Sequence, residues 1–261
     1  MNGRNTGTVA IVTGGYQGVG RAIVERLIEE GCTKVAIAGR NAEAGSTAAR
    51  ELSTGDVEVI FVRTDTAVVA DCHRLVDTAV SHFGRVNALV NAAGTGQRGS
   101  ILETTEEMWN EVMNTNARGP FFLMQRLSQH LVETGQPGSM VNILSMCVHC
   151  CQSYLSHYAA SKGALATLTK NAANALRHHR IRCNAILPGW MDTPGEDATQ
   201  KRFHNAPDDW LEKAEAAQPM GMLVKPHHLA SLAAYLLSPE SGVMTGALID
   251  FDQNVAGAYP E

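Results

Sequence analysis

The sequence predicts an α/β fold: a doubly wound three-layer sandwich built on a parallel sheet. Three observations carry that expectation. Short apolar, β-branched runs alternate regularly with longer amphipathic stretches, the pattern of βαβ units. Right-handed crossovers then place helices on both faces of the sheet. The first run breaks into a glycine-rich turn that opens a helix. Finally, no linker, low-complexity tract or internal repeat divides the 261 residues, so residues 1–261 read as one domain.

Composition narrows the function classes. Hydrophobic residues make up 44% and charged residues 18%, as in an ordinary well-cored enzyme domain. A net charge of −5 leaves no electrostatic footprint for nucleic acid or an anionic membrane surface. The basic run over residues 177–182 ends a predicted helix, where cations complement the dipole. Residues 1–8 are polar and lead straight into a strand, unlike a signal peptide, and no apolar run reaches membrane-spanning length. The six cysteines lack disulfide-framework spacing, which suits a reducing cytoplasm. Cys147, His149, Cys150 and Cys151 have no second ligand pair, so they read as a pocket wall and no metal is expected.

Taken in order, residues 9–12 form a strand that stops at Thr13-Gly14-Gly15-Tyr16-Gln17-Gly18-Val19-Gly20. Ala22, Ile23, Leu27 and Ile28 then fall on one helical face. Strand, glycine turn and helix together point to a dinucleotide site, with oriented N–H groups facing a pyrophosphate. The spacing of Gly14, Gly18 and Gly20 is one residue wider than G-x-G-x-x-G. The second strand, 34–38, ends in Gly39-Arg40-Asn41. No acid stands from 35 to 41 to take a ribose 2′-hydroxyl, whereas Arg40 suits a 2′-phosphate, so NADP(H) is favoured and NAD(H) stays possible. A helix over 42–52, a strand over 57–62 with Asp65 beyond it, a helix over 75–83 and a strand over 86–90 follow. That strand stops at Asn91-Ala92-Ala93-Gly94, small residues that let a ligand pack on the backbone.

Thr104 with Glu107 predicts a capping box. The helix beyond passes through Asn116, which if buried must be hydrogen-bonded. Helix 121–131, a turn at 136–138 and a strand over 140–144 lead to Ser145, placed at the strand's C-terminal end, where open α/β sheets bind ligands. Tyr158 and Lys162 are four apart on the next helix and share a face. An ammonium beside a phenol is expected to draw its pKa down from about 10. Ser145, Tyr158 and Lys162 thus suggest proton transfer to or from an alcohol or carbonyl oxygen. Strand 181–187 breaks at Pro188-Gly189. Residues 190–218 show little clean period and read as an irregular substrate lid. A helix over 229–237 and a strand over 247–251 complete the chain.

In order, TGxxxGxG, Asp65, NxAG at 91–94, Asn116, Ser145, YxxxK and Pro188-Gly189 resemble the short-chain dehydrogenase/reductase family across nearly the whole chain. The resemblance implies a Rossmann-like sheet of about seven strands and alcohol–carbonyl redox chemistry. It implies Tyr158 as acid/base, Lys162 on the ribose, Ser145 orienting the reacting oxygen and Asn116 holding a water. The cofactor set it implies is Gly14, Tyr16, Gln17, Gly18, Val19, Gly20, Arg40, Asp65, Thr66, Asn91, Ala92, Gly94, Tyr158, Lys162, Pro188, Gly189 and Thr193. Three positions depart from the pattern: Ala92 replaces a second Asn, Gln17 stands where NADP-dependent members often carry a base, and the chain reads Asp252-Gln253-Asn254 where many have Asp-Gly-Gly.

For the substrate, Trp190, Asp192 and Trp210 in the lid, with His149, Gln152, Ser153 and His157 on the wall, suggest hydrogen bonds beside aromatic faces. Such a pocket fits a sugar, polyol or cyclitol better than a steroid or long acyl chain. If those residues instead face solvent, a 3-oxoacyl-thioester (acyl carrier protein) reductase or a general carbonyl reductase is the alternative. A non-catalytic dinucleotide sensor would be marked by loss of Ser145, Tyr158 or Lys162, and all three are present. The resemblance and the apolar segment 243–251 also imply a homo-tetramer or dimer.

Overall fold

A computed structural model describes residues 3–258; Met1, Asn2 and 259–261, which fall inside the predicted 1–261 domain, lie outside the described residues. Seven parallel strands run β1 Val9–Thr13, β2 Lys34–Gly39, β3 Glu58–Arg63, β4 Ala88–Asn91, β5 Gly138–Ile143, β6 Ile181–Pro188 and β7 Leu248–Phe251. Their order across the sheet is β3-β2-β1-β4-β5-β6-β7. The order reverses between β1 and β4, and the crevice outside their C-terminal ends is the ligand position such a sheet offers.

Both faces are covered. Val9 and Ile11 join α3 (Val69–Phe83), α5 (Gly119–Glu133) and α6 (Ser156–Leu176) in one core. Ala10 and Val12 join α1 (Gly18–Glu29), α2 (Ala42–Leu52) and α9 (Pro226–Leu237) in the other. Alternate residues of one strand therefore feed opposite cores, and the strand reads as an unbroken apolar run.

Two segments differ from expectation. The helix before the site starts one residue later than the capping box suggested: Thr105, not Thr104, caps α4 (Glu106–Met113) by accepting from Met108 N at 3.3 Å. Thr104 instead donates to Ser100 O at 2.7 Å. Between α4 and α5 the backbone widens into a π-turn, Asn114–Arg118, that carries Asn116.

The stretch expected to be irregular holds two helices, α7 Pro194–His204 and α8 Trp210–Ala216. Thr193 caps α7 by accepting from Glu196 N at 3.0 Å, Pro194 sits in its first turn, and acids precede bases along it. No residue of α7 is buried, so the helix leaves no apolar period to read. The segment expected to form a lid also runs further than 218. Its two ends meet where Asp192 N donates to Val224 O (3.0 Å) and Val224 N to Trp190 O (2.9 Å). Trp210, Ala214 and Leu223 form a small core of its own, separate from the other two.

Candidate active site

The glycine turn sits at the end of β1 because three glycines meet three different demands. Gly14 has φ +70° and lies against the backbone of Ala93. Gly18 has φ +52°, and a Cβ there would meet no atom within 4 Å. A Cβ on Gly20 would fall 2.4 Å from Gly14 O, so α1 can only dock this closely on glycine. Thr13 closes the opposite side: its Oγ1 accepts from Ala92 N and Ala93 N, both at 3.0 Å. That clasp joins β1 to β4 at the switch point. Asn91 donates to Asn142 Oδ1 at 2.8 Å, and its own Oδ1 is buried without a partner.

Residues of four elements converge beside this crevice. Ser145 follows β5, and its Oγ accepts from Cys147 N at 3.2 Å. Tyr158 lies in the first turn of α6, with Ser145 near enough to lower the pKa of its phenol. Lys162, one turn on, is buried and donates to Ile143 O at 2.9 Å. Asn116 accepts from Thr95 N (2.9 Å) and donates to Thr95 O (2.9 Å) and Ser161 Oγ (3.1 Å), the structural tie its burial requires. Gly94 lies between them: a Cβ there would stand 3.3 Å from Asn116 Oδ1 and 3.6 Å from Lys162 Nζ.

The electrostatics overturn one expectation. Burial, rather than the lysine, governs the phenol, and holds the Tyr158 pKa well above its usual range; Cys147 adds to this and Ser145 opposes it. Lys162 is not among the largest influences on the phenol. Its Nζ stands 5.7 Å from the Tyr158 ring centroid, and burial pushes its own pKa down to about 8. Burial and contact with Cys147 push Cys151 up to about 12, so it lines the wall as a neutral thiol.

The residues fit a dinucleotide. The first turn of α1 holds no acid, and Gln17 makes no side-chain cap, so its N–H groups face the glycine turn unopposed. Val19 packs on the core beneath, and the Tyr16 ring covers the backbone of Gly39. Arg40 is exposed at the end of β2 and makes no side-chain hydrogen bond or ion pair among the described residues. Asp65 is spent on its own turn, accepting from Ala67 N at 3.0 Å, and Thr66 is buried with its carbonyl against Gly119. Pro188 ends β6, and Gly189 lies tight on the Asp252 carboxylate.

The expected substrate residues are not brought together. His149 turns to the sheet edge and meets Asp250 of β7 at 2.9 Å. Asp192 pairs with Lys225 at 2.7 Å, fastening the lid's base. Trp210 is 7% exposed, fills the lid core and donates to Asp197 at 2.8 Å, so it offers no free platform. His157 is fully buried, with Nδ1 3.2 Å from Thr104 Oγ1. Trp190 remains 40% exposed, stacked on Trp210, and Gln152 is exposed on the β5–α6 loop. Reasoning from sequence missed Arg98, which stands beside Tyr158 across Gly96; a lone arginine in a loop carries no period or spacing to mark it.

Residues 14–253 match a family model described as enoyl-(acyl carrier protein) reductase. The chain is similar to an NADP-dependent (R)-specific alcohol dehydrogenase of Lentilactobacillus kefiri, 36% identical over 95% of this chain and 96% of that one. The chain belongs to the short-chain dehydrogenase/reductase family. It is 33% identical to a (3R)-3-hydroxyacyl-CoA dehydrogenase of Canis lupus familiaris, over 93% of each chain. It is 31% identical to an L-rhamnose-1-dehydrogenase of Scheffersomyces stipitis, over 97% of each. A short-chain type dehydrogenase/reductase from Mycobacterium marinum superposes with a TM-score of 0.85, at 28% identity, covering 95% of this chain and 94% of that one. The protein is an oxidoreductase of alcohol and carbonyl groups, as its relatives in this family are. Among the described residues no helix is long and apolar enough to cross a membrane, and no three His, Cys, Asp or Glu converge as a metal site.

Proposed function

We propose that this short-chain dehydrogenase/reductase interconverts a secondary alcohol and a ketone or aldehyde on a small polyhydroxy substrate, a sugar, polyol or cyclitol, with NADP(H) favoured over NAD(H). One observation supports the site above all: Ser145 acts on the Tyr158 phenol, and Lys162 stands beside Gly94, at the C-terminal ends of β4 and β5, next to the point where the sheet's order reverses. A bound nicotinamide supplies or accepts the hydride. Ser145 orients the substrate oxygen and Tyr158 exchanges one proton with it. A phenol held protonated by burial is set to donate, so reduction proceeds at neutral pH while oxidation gains as pH rises.

Lys162, with Asn91 and Gly94, would hold the nicotinamide half, and Pro188, Gly189 and Thr193 would border it. Gly14 to Gly20 would hold the pyrophosphate. Arg40 would take the 2′-phosphate, in keeping with the NADP-dependence of the Lentilactobacillus kefiri relative. Asn116 fixes the 94–95 turn against α6 and would hold a water on the path from Lys162. Trp190 and the sugar dehydrogenase relative support the polyhydroxy reading. The hydroxyacyl-CoA relative supports the thioester alternative.

The deciding measurement is reduced-cofactor absorbance with NADP and NAD across sugars, polyols, cyclitols and a 3-oxoacyl thioester. Turnover of sugars or polyols with NADP is expected, and Tyr158→Phe should lower kcat by about 10²–10⁴ with cofactor binding kept. Turnover of thioesters alone would sink the polyhydroxy reading. A cytoplasmic homo-tetramer, or dimer, is proposed on family likeness. Light scattering of the purified protein should give a multiple of 28.0 kDa, and a monomer would reject it.

A further inference from the structure

Arg98 lies in the loop after β4, and that loop is pinned. Gly99 N donates to Tyr154 O at 2.7 Å and Ser156 N to Gly99 O at 3.2 Å, so the loop is stitched to the start of α6 two residues before Tyr158. The guanidinium is oriented as well. Its Nη1 donates to Gly96 O at 2.9 Å, and its carbon lies 5.7 Å from the Tyr154 ring centroid and 5.9 Å from that of Phe203 on α7. Two loops and the lid thus enclose one cation.

No acid answers it: Arg98 has no carboxylate within ion-pair distance among the described residues. The acids nearest in sequence are engaged elsewhere, Glu103 with Ser100 and Glu111 with Gln97. On the lid, Glu196 holds Trp190 and Gln200, and Asp197 holds Trp210 and Lys201. Arg98 Nε is buried without any hydrogen-bond partner, and Nη2 makes none. In a guanidinium with Nη1 occupied, Nε–H and Nη2–H form the remaining edge, two parallel donors matched to a carboxylate. A buried donor left unmade is costly, and no acceptor among the described residues answers Nε or Nη2.

The guanidinium and the Tyr158 ring flank Gly96. A Cβ on Gly96 would lie 3.6 Å from Arg98 Nη1 and 3.9 Å from Tyr158 Cε2. A substrate oxygen on Tyr158 and an anionic group on Arg98 would therefore be only a few bonds apart.

We infer that the substrate carries a carboxylate, bound side-on by Nε and Nη2 of Arg98, so that the polyhydroxy substrate is a hydroxy or oxo acid such as a sugar acid. The inference rests on the reading of Ser145, Tyr158 and Lys162 as a redox site and names the substrate class it serves. The Tyr154 and Phe203 ring centroids stand 5.7 and 5.9 Å from the guanidinium carbon, and the phenylalanine belongs to α7.

The test compares wild type with Arg98→Gln and Arg98→Lys on matched substrates: gluconate against glucitol, 3-hydroxybutyrate against its methyl ester, and glycerol 3-phosphate against glycerol. Wild type should prefer the carboxylates. Arg98→Gln should raise KM for the acids about 100-fold, with kcat changed far less and the neutral partners moved no more than a few-fold. Arg98→Lys should recover part of the loss, because a point charge lacks the fork. Parallel changes for acid and neutral partners would overturn the inference, and so would a preference for the phosphate over the carboxylates. Malonate binding, followed by tryptophan fluorescence from the lid, separates the two readings. If no substrate is turned over yet malonate binds wild type and not Arg98→Gln, the redox reading fails and the anion site stands. If malonate binds both alike, the site fails.

Discussion

Lys162 shows how burial reverses an argument from charge alone. A lysine near a tyrosine is expected to lower the phenol, but here Lys162 is buried and Tyr158 is half-buried beside it. Desolvation disfavours each charged form, raising one pKa and lowering the other. The folded chain releases the Lys162 proton at about 8, against 10.5 for the ordinary side chain. Between those values the unfolded chain binds the extra proton, so stability rises with pH across the window. Below pH 8 both states are protonated and the contribution is flat. Denaturant midpoints of wild type and Lys162→Met, measured from pH 7 upward, should diverge in favour of wild type between about 8 and 10.5. Parallel curves would mean that the ammonium is not desolvated. The pairing of Tyr158 with Lys162 was legible in the sequence because helix pitch fixes it, and Ser145 because it closes an apolar strand; the interval between them came from the family resemblance. The sign of the pKa shifts was not, since burial of a single side chain depends on everything packed around it.

At the scale of the element, the glycine turn separates two reasons for the same residue. Within the chain Gly18 is needed for its backbone angle, since its φ is +52° and a Cβ there would meet no atom within 4 Å. Gly20 is needed for room, with Gly14 O 2.4 Å from the place of its Cβ. Gly18→Ala should cost about 1–2 kcal/mol, the price of one left-handed residue. Gly20→Ala must push α1 off the loop, with a larger loss of thermal stability and a steep loss of dinucleotide affinity by fluorescence titration. Equal effects of the two would contradict these contacts. The parallel strands were legible because runs such as Val9-Ala10-Ile11-Val12 are buried on both faces. Helix α7 was not: all its residues are half-buried or exposed, so only Thr193, Pro194 and the charge gradient marked it. The Trp210 indole likewise went unread, because its burial comes from Ala214 and Leu223 within the lid rather than from the sheet.

Across the whole molecule, stability is unevenly distributed. Two large cores hold the sheet, while the lid depends on a few side chains around Trp210 and on Lys225, which bridges Asp192 and Glu215. Such a unit opens locally at lower free energy than the domain. Trp210→Ala should therefore speed proteolytic cleavage between residues 190 and 224 several-fold, while far-UV circular dichroism reports nearly the same global melting temperature. A large fall in the global transition would show that the lid is part of the main core. Arg98 illustrates the limit of reading at this scale: its neighbours come from residues 96, 154 and 203, and only the folded chain brings them to one place. The pair of backbone hydrogen bonds between Asp192, Val224 and Trp190 has one more consequence. It closes the lid at its neck, so descendants of such a chain can lengthen, shorten or replace everything beyond that neck while inheriting the sheet unchanged. Closure entropy rises by only about 0.6 kcal/mol for each doubling of a flexible loop. Lineages built on this frame are free to change diet by trading lids.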